Sequence, residues 1–145
     1  MPDRVATTYP SAAIDAMLAE IRFDPQGLVP AIAQQHDTGE ILMMAWMDRD
    51  AVAETMRTGR VCYWSRSRKA AWRKGDTSGH IQTLVDFRVD CDGDTLLVLV
   101  DQTGVACHTG RHNCFFRAIR GGVLEEIAPI QIDMAKIDTT KIGKD

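Results

Sequence analysis

Three cysteines, Cys91, Cys107 and Cys114, fall within 24 residues of one another, beside three aspartates and two histidines. Thiolates are soft ligands suited to zinc, and carboxylates are hard ligands suited to magnesium or calcium. The pentapeptide Asp90-Cys91-Asp92-Gly93-Asp94 interleaves both kinds. If its backbone is extended, Asp90, Asp92 and Asp94 face one way and Cys91 the other, so one short segment can serve two metals. An EF-hand loop is excluded. Its sixth position would be Thr95 instead of Gly, its twelfth Asp101 instead of Glu, and the flanks read as strands. Taken alone, the three aspartates are better read as a plain acidic turn.

The second element runs from Cys107 to Cys114 as Cys-His-Thr-Gly-Arg-His-Asn-Cys. The spacing is longer than the usual zinc knuckle. With Cys91 it offers three thiolates and no clear fourth protein ligand. Structural zinc sites are closed by four ligands, whereas catalytic sites keep one position for water. His108 or His112 either closes a Cys3His centre or stays unliganded and moves protons. Composition does not choose between them. The fourth cysteine, Cys62, lies in the apolar run Val61-Cys62-Tyr63-Trp64 and reads as a small buried hydrophobe.

The net charge is -3, which excludes a general nucleic-acid coat. Between Arg57 and Lys74, however, seven Lys or Arg residues occur with no Asp or Glu. Such runs are usually solvated loops. Here Trp64, Ser65, Ser67 and Trp72 are interleaved, which points to an anion site. No stretch approaches the length of a membrane span. The N-terminus lacks the apolar core of a signal peptide, so cytoplasmic residence is expected. Cysteines in that compartment serve metal or redox chemistry in preference to disulfides.

The elements that must position these residues follow from periodicity and turn chemistry. One domain is expected over residues 1–145. Residues 1–22 form an N-terminal helical extension, with Ile14, Met17, Leu18 and Ile21 at helical spacing after Ser11 as N-cap. Two apolar runs, 28–35 and 41–47, flank a Gly-containing turn and predict a hairpin. Asp48 caps a second helix that stops at Gly59. A short strand at 61–65 leads into a long loop over 66–80. Residues 81–90 alternate, with Val85, Phe87 and Val89 on one face and Asp86, Arg88 and Asp90 on the other. Strands over 95–100, 115–119 and 123–132 complete the pattern, the last weakened by Pro129. A polar tail covers 134–145. The fold class is α+β, a mostly antiparallel sheet with two short helices.

Three segments together resemble one family, the phosphoribosyl-AMP cyclohydrolases of histidine biosynthesis. They are residues 63–82 (YWSRSRKAAWRKGDTSGHIQ), 90–94 (DCDGD) and 106–116 (ACHTGRHNCFF). Residues 39–51 look like that family's early hairpin and helix, and the likeness spans roughly 24–119. Asn113 stands where the family often has serine, and Ala71 where a larger apolar residue is common. The resemblance implies a hydrolase that opens the N1–C6 bond of the adenine ring of 1-(5-phosphoribosyl)-AMP by attack of a zinc-bound water. It implies zinc on Cys91, Cys107 and Cys114 and magnesium on Asp90, Asp92 and Asp94. It also implies an intertwined homodimer, with Cys91 of one subunit completing the other's zinc site. His108 is the first choice for the proton shuttle and His112 the second. Arg66, Ser67, Trp72, Lys74, Ser78, Gly79 and His80 are expected near substrate, Trp72 and His80 with equally ordinary roles in packing or loop order. The partner is a phosphorylated nucleotide; no nucleic acid or membrane is implied.

Two other readings differ in their sequence demands. A cytidine-type deaminase needs H-x-E and P-C-x-x-C, and neither occurs. A closed zinc-stabilised binding module would unfold on losing zinc and have no activity to lose. About thirty residues follow Cys114, too few for a fused second domain, so one activity is expected.

Overall fold

The computed structural model describes residues 5–132. The expected polar tail lies outside the described residues. Helix α1 spans Ser11–Glu20 and buries Ile14. Pro10, not Ser11, occupies the capping position: its carbonyl accepts from Ala13 and Ile14 at 3.0 and 3.1 Å. The preset proline φ of -74° suits that place, and no side chain caps the helix. The helix also stops short of Arg22. Ile21 is extended, and the Arg22 N–H leaves the helical ladder to donate to Gly93 O at 2.7 Å.

Strands β1 (Val29–Gln35) and β2 (Ile41–Met47) form the expected hairpin, with Ala31 opposite Ala45. Helix α2 (Arg49–Thr58) begins where Asp48 Oδ1 accepts the Ala51 N–H at 2.8 Å. It ends at Gly59, whose φ of +76° lets its N–H reach Thr55 O. Strand β3 (Cys62–Ser65) then pairs with β4 (Ala70–Arg73). That corrects the expected loop over 66–80. Trp72 sits opposite Tyr63 with ring centroids 5.0 Å apart, and both are buried. An aromatic cross-strand pair is enough to make the first half of a polar segment a strand.

Strands β5 (Gln82–Val89) and β6 (Leu96–Gln102) are antiparallel, with a bulge between Leu84 and Asp86. The bulge overturns the expected alternation: Leu84, not Val85, is fully buried along with Phe87. The main sheet runs β4-β3-β2-β1-β6-β5. It is mostly antiparallel, but β1 and β6 are parallel. The sheet curls. The Leu84 N–H donates to Gly59 O at 2.8 Å, and the Val61 N–H to Gln82 O at 3.1 Å. Thus the β5 edge meets the chain just ahead of β3. Inside the curl lie Val29, Leu42, Met47, Val52, Leu96 and Val98, all essentially inaccessible.

A separate hairpin joins β7 (Arg117–Arg120) to β8 (Val123–Glu126). The last strand therefore ends before Pro129, not at 132, because proline has no N–H for a ladder. With two helices and a mostly antiparallel sheet, the architecture is α+β.

Candidate functional site

The Asp90–Asp94 segment closes the β5–β6 connection as a tight turn. Asp90 Oδ1 accepts the N–H groups of Asp94 and Thr95 at 3.0 and 3.2 Å, and Asp90 N–H donates to Thr95 O at 3.0 Å. The segment is therefore the acidic turn that its Asp and Gly residues suggest, not the extended form that would set Cys91 opposite the aspartates. Turn closure, not strand alternation, brings the carboxylates together, and one oxygen from each of Asp90, Asp92 and Asp94 lies within 4.8 Å of the others. All three are exposed. Hydrogen bonds to the Asp92 and Asp90 carboxylates, and their charge, push the Asp94 carboxyl above its ordinary value. Like charges held this close favour a cation between them. Helix α1 backs the turn. A Cβ on Gly93 would lie 2.3 Å from Glu20 O, so only glycine fits, at φ +79°.

Cys107 is buried and Cys114 half-buried. The loop between them is pinned by its backbone. Cys107 N–H donates to Arg111 O at 3.1 Å, Ala106 N–H to His112 O at 3.0 Å, and Cys114 N–H to Leu42 O on β2 at 2.8 Å. Arg111, itself buried, donates to Ala128 O at 3.0 Å, pairs with Glu126 and lies over the Phe116 ring. Cys107 Sγ lies 3.0 Å from Thr109 Oγ1 and 3.5 Å from Thr109 N. Its thiol is pulled down to about 5, chiefly by the Cys114 thiol, with Thr109 and the charge of His108 adding to overcome burial. A thiolate flanked by a second cysteine is the donor chemistry zinc takes, so these residues fit that metal. Cys62 behaves oppositely: burial pushes it up to about 12, as suits an inert core thiol.

The three cysteines do not come together within one chain. Among the described residues, the aspartates are the one trio of potential ligands within 4.8 Å of each other. Cys91 is exposed in the acidic turn, lining a depression with Asp90, Asp92 and the end of α1.

The basic segment divides in two. Arg66 and Ser67 stand exposed on the β3–β4 turn, with the Arg66 guanidinium 4.8 Å from the centre of the Trp46 ring. Lys74, Ser78, Gly79 and His80 lie in the turn after β4. Lys74 is only 2% exposed. Burial, then the nearby Lys74 charge, holds His80 below its ordinary value. The His80 ring packs on Gly104, where any Cβ would come within 2.6 Å of Cδ2. Ser78 Oγ accepts the His80 N–H at 3.1 Å. Trp72 belongs to the core beside Tyr63.

Glu40 is the residue sequence reasoning did not single out. From the end of the β1–β2 turn, its Oε1 lies 2.7 Å from His112 Nδ1 and its Oε2 accepts from Asn113 Nδ2 at 2.6 Å. A glutamate in a polar turn carries no mark of a partner 72 residues away. His108 is exposed and His112 half-buried.

Residues 43–116, which include both the acidic turn and the cysteine loop, match the family model described as phosphoribosyl-AMP cyclohydrolase. The phosphoribosyl-AMP cyclohydrolase of Rhodospirillum centenum is 66% identical over 122 residues, 84% of this chain and 92% of that protein. That of Paramagnetospirillum magneticum is 64% identical over 83% of this chain and 93% of its own. That of Granulibacter bethesdensis is 73% identical over 68% of this chain and 77% of its own. An aspartate turn and a cysteine loop on this frame, with relatives this close over most of their length, make the chain a member of the phosphoribosyl-AMP cyclohydrolase family of enzymes.

Proposed function

We propose that the protein adds water across the N1–C6 bond of the adenine ring of 1-(5-phosphoribosyl)-AMP, a ring-opening step of histidine biosynthesis. The observation that carries this reading is the presence of Cys107 and Cys114 together on one loop and of the Asp90–Asp92–Asp94 trio on a separate turn, both inside the matched segment. Cys107, Cys114 and a Cys91 would hold zinc, and the aspartates magnesium. Bound zinc supplies a Lewis acid that brings water to the point of ionisation near neutral pH, ~7.

The rest falls to the chain's own side chains. Alkylation at N1 leaves C6 electrophilic, and water adds there. N1 then departs as part of an amidine and needs a proton, which His108 or His112 would carry. Arg66, Ser67, Lys74, Ser78 and Gly79 would receive the phosphates and ribose of the substrate. His80 orders its own turn and stands beside them. Trp72 supports that region from the core and does not need to touch the base.

Homodimerisation belongs to the same reading. Cys91 is exposed and outside reach of its own chain's cysteine pair, so a partner's Cys91 would supply the third thiolate. The β7–β8 hairpin exposes Ile119, Val123 and Leu124, which suits a surface covered by a second copy. A biosynthetic enzyme of this kind is expected in the cytoplasm. Among the described residues, no helix is long and apolar enough to cross a membrane.

Purified protein supplied with phosphoribosyl-AMP, zinc and magnesium should open the ring, followed by ultraviolet absorbance, and a chelator should stop it. Absence of turnover with both metals restored would sink the proposal. Mixing inactive Cys91→Ala and Cys107→Ala chains should recover partial activity. No recovery would place each site within one chain.

A further inference from the structure

The proposed reaction needs the turn over residues 74–80 and the loop over residues 107–114 at a fixed spacing, and one side chain bridges the two. The Gln102 amide nitrogen lies 2.8 Å from Thr103 O, 3.2 Å from His80 O and 3.4 Å from both Ile81 O and Val105 O. His80 closes the turn after β4, and Val105 leads into the cysteine loop. Carbonyl oxygens around one end of the side chain fix its orientation, since only the amide nitrogen can donate to them. Gln102 Oε1 then faces Gln82, which must present its own nitrogen, at 2.9 Å. Gln82 Nε2 also reaches Met43 Sδ at 3.4 Å, and Gln82 Oε1 accepts the Tyr63 hydroxyl at 2.6 Å. The relay is therefore directional, from Tyr63 through Gln82 to Gln102.

Its members are held from other sides as well. Tyr63 and Gln82 are inaccessible to solvent. The Gln102 N–H donates to Gln35 Oε1 at 2.9 Å, while Gln35 Nε2 donates to Asp37 and Asp101 at 3.0 and 3.1 Å. Strands β1, β3, β5 and β6 each contribute one member. Apolar side chains would join four strands at least as stably. A buried amide chain with its partners in place instead specifies one arrangement of the segments it joins.

We propose that Gln102 is a positioning residue for the ring-opening reaction. Through the His80 and Val105 carbonyls it sets the turn that would receive the phosphates and ribose against the loop that carries Cys107 and Cys114. Gln82 and Tyr63 keep its amide in the donating orientation. This rests on the hydrolase reading and deepens it. The effect runs through backbone, by fixing where C6 of the purine lies relative to the attacking water. A displacement of about 1 Å at that point costs on the order of 100-fold in rate. The loss falls on kcat, because the phosphate and ribose contacts lie on one side of the bridge and persist when it is cut.

The test uses zinc-loaded full-length protein and three readouts: turnover, zinc content and amide hydrogen exchange recorded without substrate. Gln102→Leu should lower kcat about 10- to 100-fold. KM should stay within about threefold, and zinc content should not change. Exchange should quicken at Gly79 and His80 and from Thr103 to Ala106, while helix α2 keeps its protection. Tyr63→Phe combined with Gln82→Met removes the rest of the relay and leaves no orphaned donor between those two positions. It should lower kcat less than Gln102→Leu does, with the same pattern of exchange. Added to Gln102→Leu, it should cost little more, since all three act through one bridge.

A kcat within twofold of wild type in Gln102→Leu would overturn the proposal. So would zinc lost in step with kcat, which would assign Gln102 to holding the metal loop. Exchange rising as much in α2 as in the two bridged segments would reduce the network to general stability and overturn it too. Should Gln102→Leu fail to fold, the Tyr63→Phe/Gln82→Met chain decides by the same readouts. Failure of the hydrolase reading is separable: wild-type protein would then show no turnover, while hydrogen exchange would still report whether Gln102 couples the two segments.

Discussion

Cys107 and Cys62 are both buried cysteines of one chain, yet their thiols are displaced in opposite directions. At Cys62 burial dominates and the thiol is pushed up to about 12. At Cys107 burial is outweighed by the Cys114 thiol and by Thr109, and the group falls to about 5. The difference lies in partners and not in depth. Its consequence can be measured on metal-free protein. A depressed value means the charged form persists as acid is added, so thiolate absorbance in the ultraviolet should survive well below neutral pH. It should disappear as pH falls through about 5. Cys107→Ser should remove that component, whereas Cys62→Ala should leave it. A thiolate signal lost already at pH 8 to 9, where an ordinary cysteine titrates (about 8.5), would contradict the assigned environment. The contrast between the two was legible in sequence as ligand type against apolar run. The size of the Cys107 displacement was not, because it depends on a hydroxyl and a second sulfur meeting the same atom.

At the scale of elements, the site depends on how α1 ends. The helix stops at Glu20, and the released Arg22 N–H and the Glu20 carbonyl both bear on Gly93. Gly93→Ala would place a methyl 2.3 Å from Glu20 O at a φ of +79°. Backbone on both sides cannot yield cheaply. A loss of about 1–3 kcal/mol in denaturant unfolding is expected, together with weaker magnesium binding. Gly79→Ala provides the comparison. It has a similar φ of +81° but nothing within 4 Å, so it should cost less. Equal losses at the two glycines would show that φ alone, not the contact with α1, sets the cost. This dependence explains what sequence could and could not reveal. Helix α2 was legible because Asp48 and Gly59 are local signals acting on their own turn. Strand β4 was not, since its anchor is the packing of Trp72 on Tyr63. The bulge at Val85 and the clamp of Glu40 on His112 were hidden for the same reason: each is decided by a neighbour remote in sequence. The acidic segment was legible as a turn from its Asp and Gly residues, but the way Asp90 closes it, accepting two N–H groups, was not.

The whole molecule divides into a curled sheet with a buried core and an outlying β7–β8 hairpin. That hairpin leaves Ile119, Val123 and Leu124 about 60% exposed. A two-stranded hairpin is marginal in water without an apolar face to cover, yet this one is tied back to the cysteine loop through Arg111, which bonds Ala128 O and pairs with Glu126. Covering the hairpin with a second copy would therefore steady the loop that carries Cys107 and Cys114. It would also set the proposed shared zinc site and the proposed dimer in one structure. Leu124→Asp tests this coupling. Burying an unpaired carboxylate in a dimer interface costs several kcal/mol, whereas on a solvent-exposed strand it costs almost nothing. Sedimentation should show wild-type dimer and Leu124→Asp monomer at micromolar concentration. Zinc affinity and turnover should fall together with the dimer and recover partly as protein concentration rises. Glu125→Lys on the same strand, a polar exchange at a charged exposed position, should leave the dimer intact. A Leu124→Asp chain that remains dimeric, or a monomer that binds zinc as tightly as wild type, would separate the hairpin from the metal site.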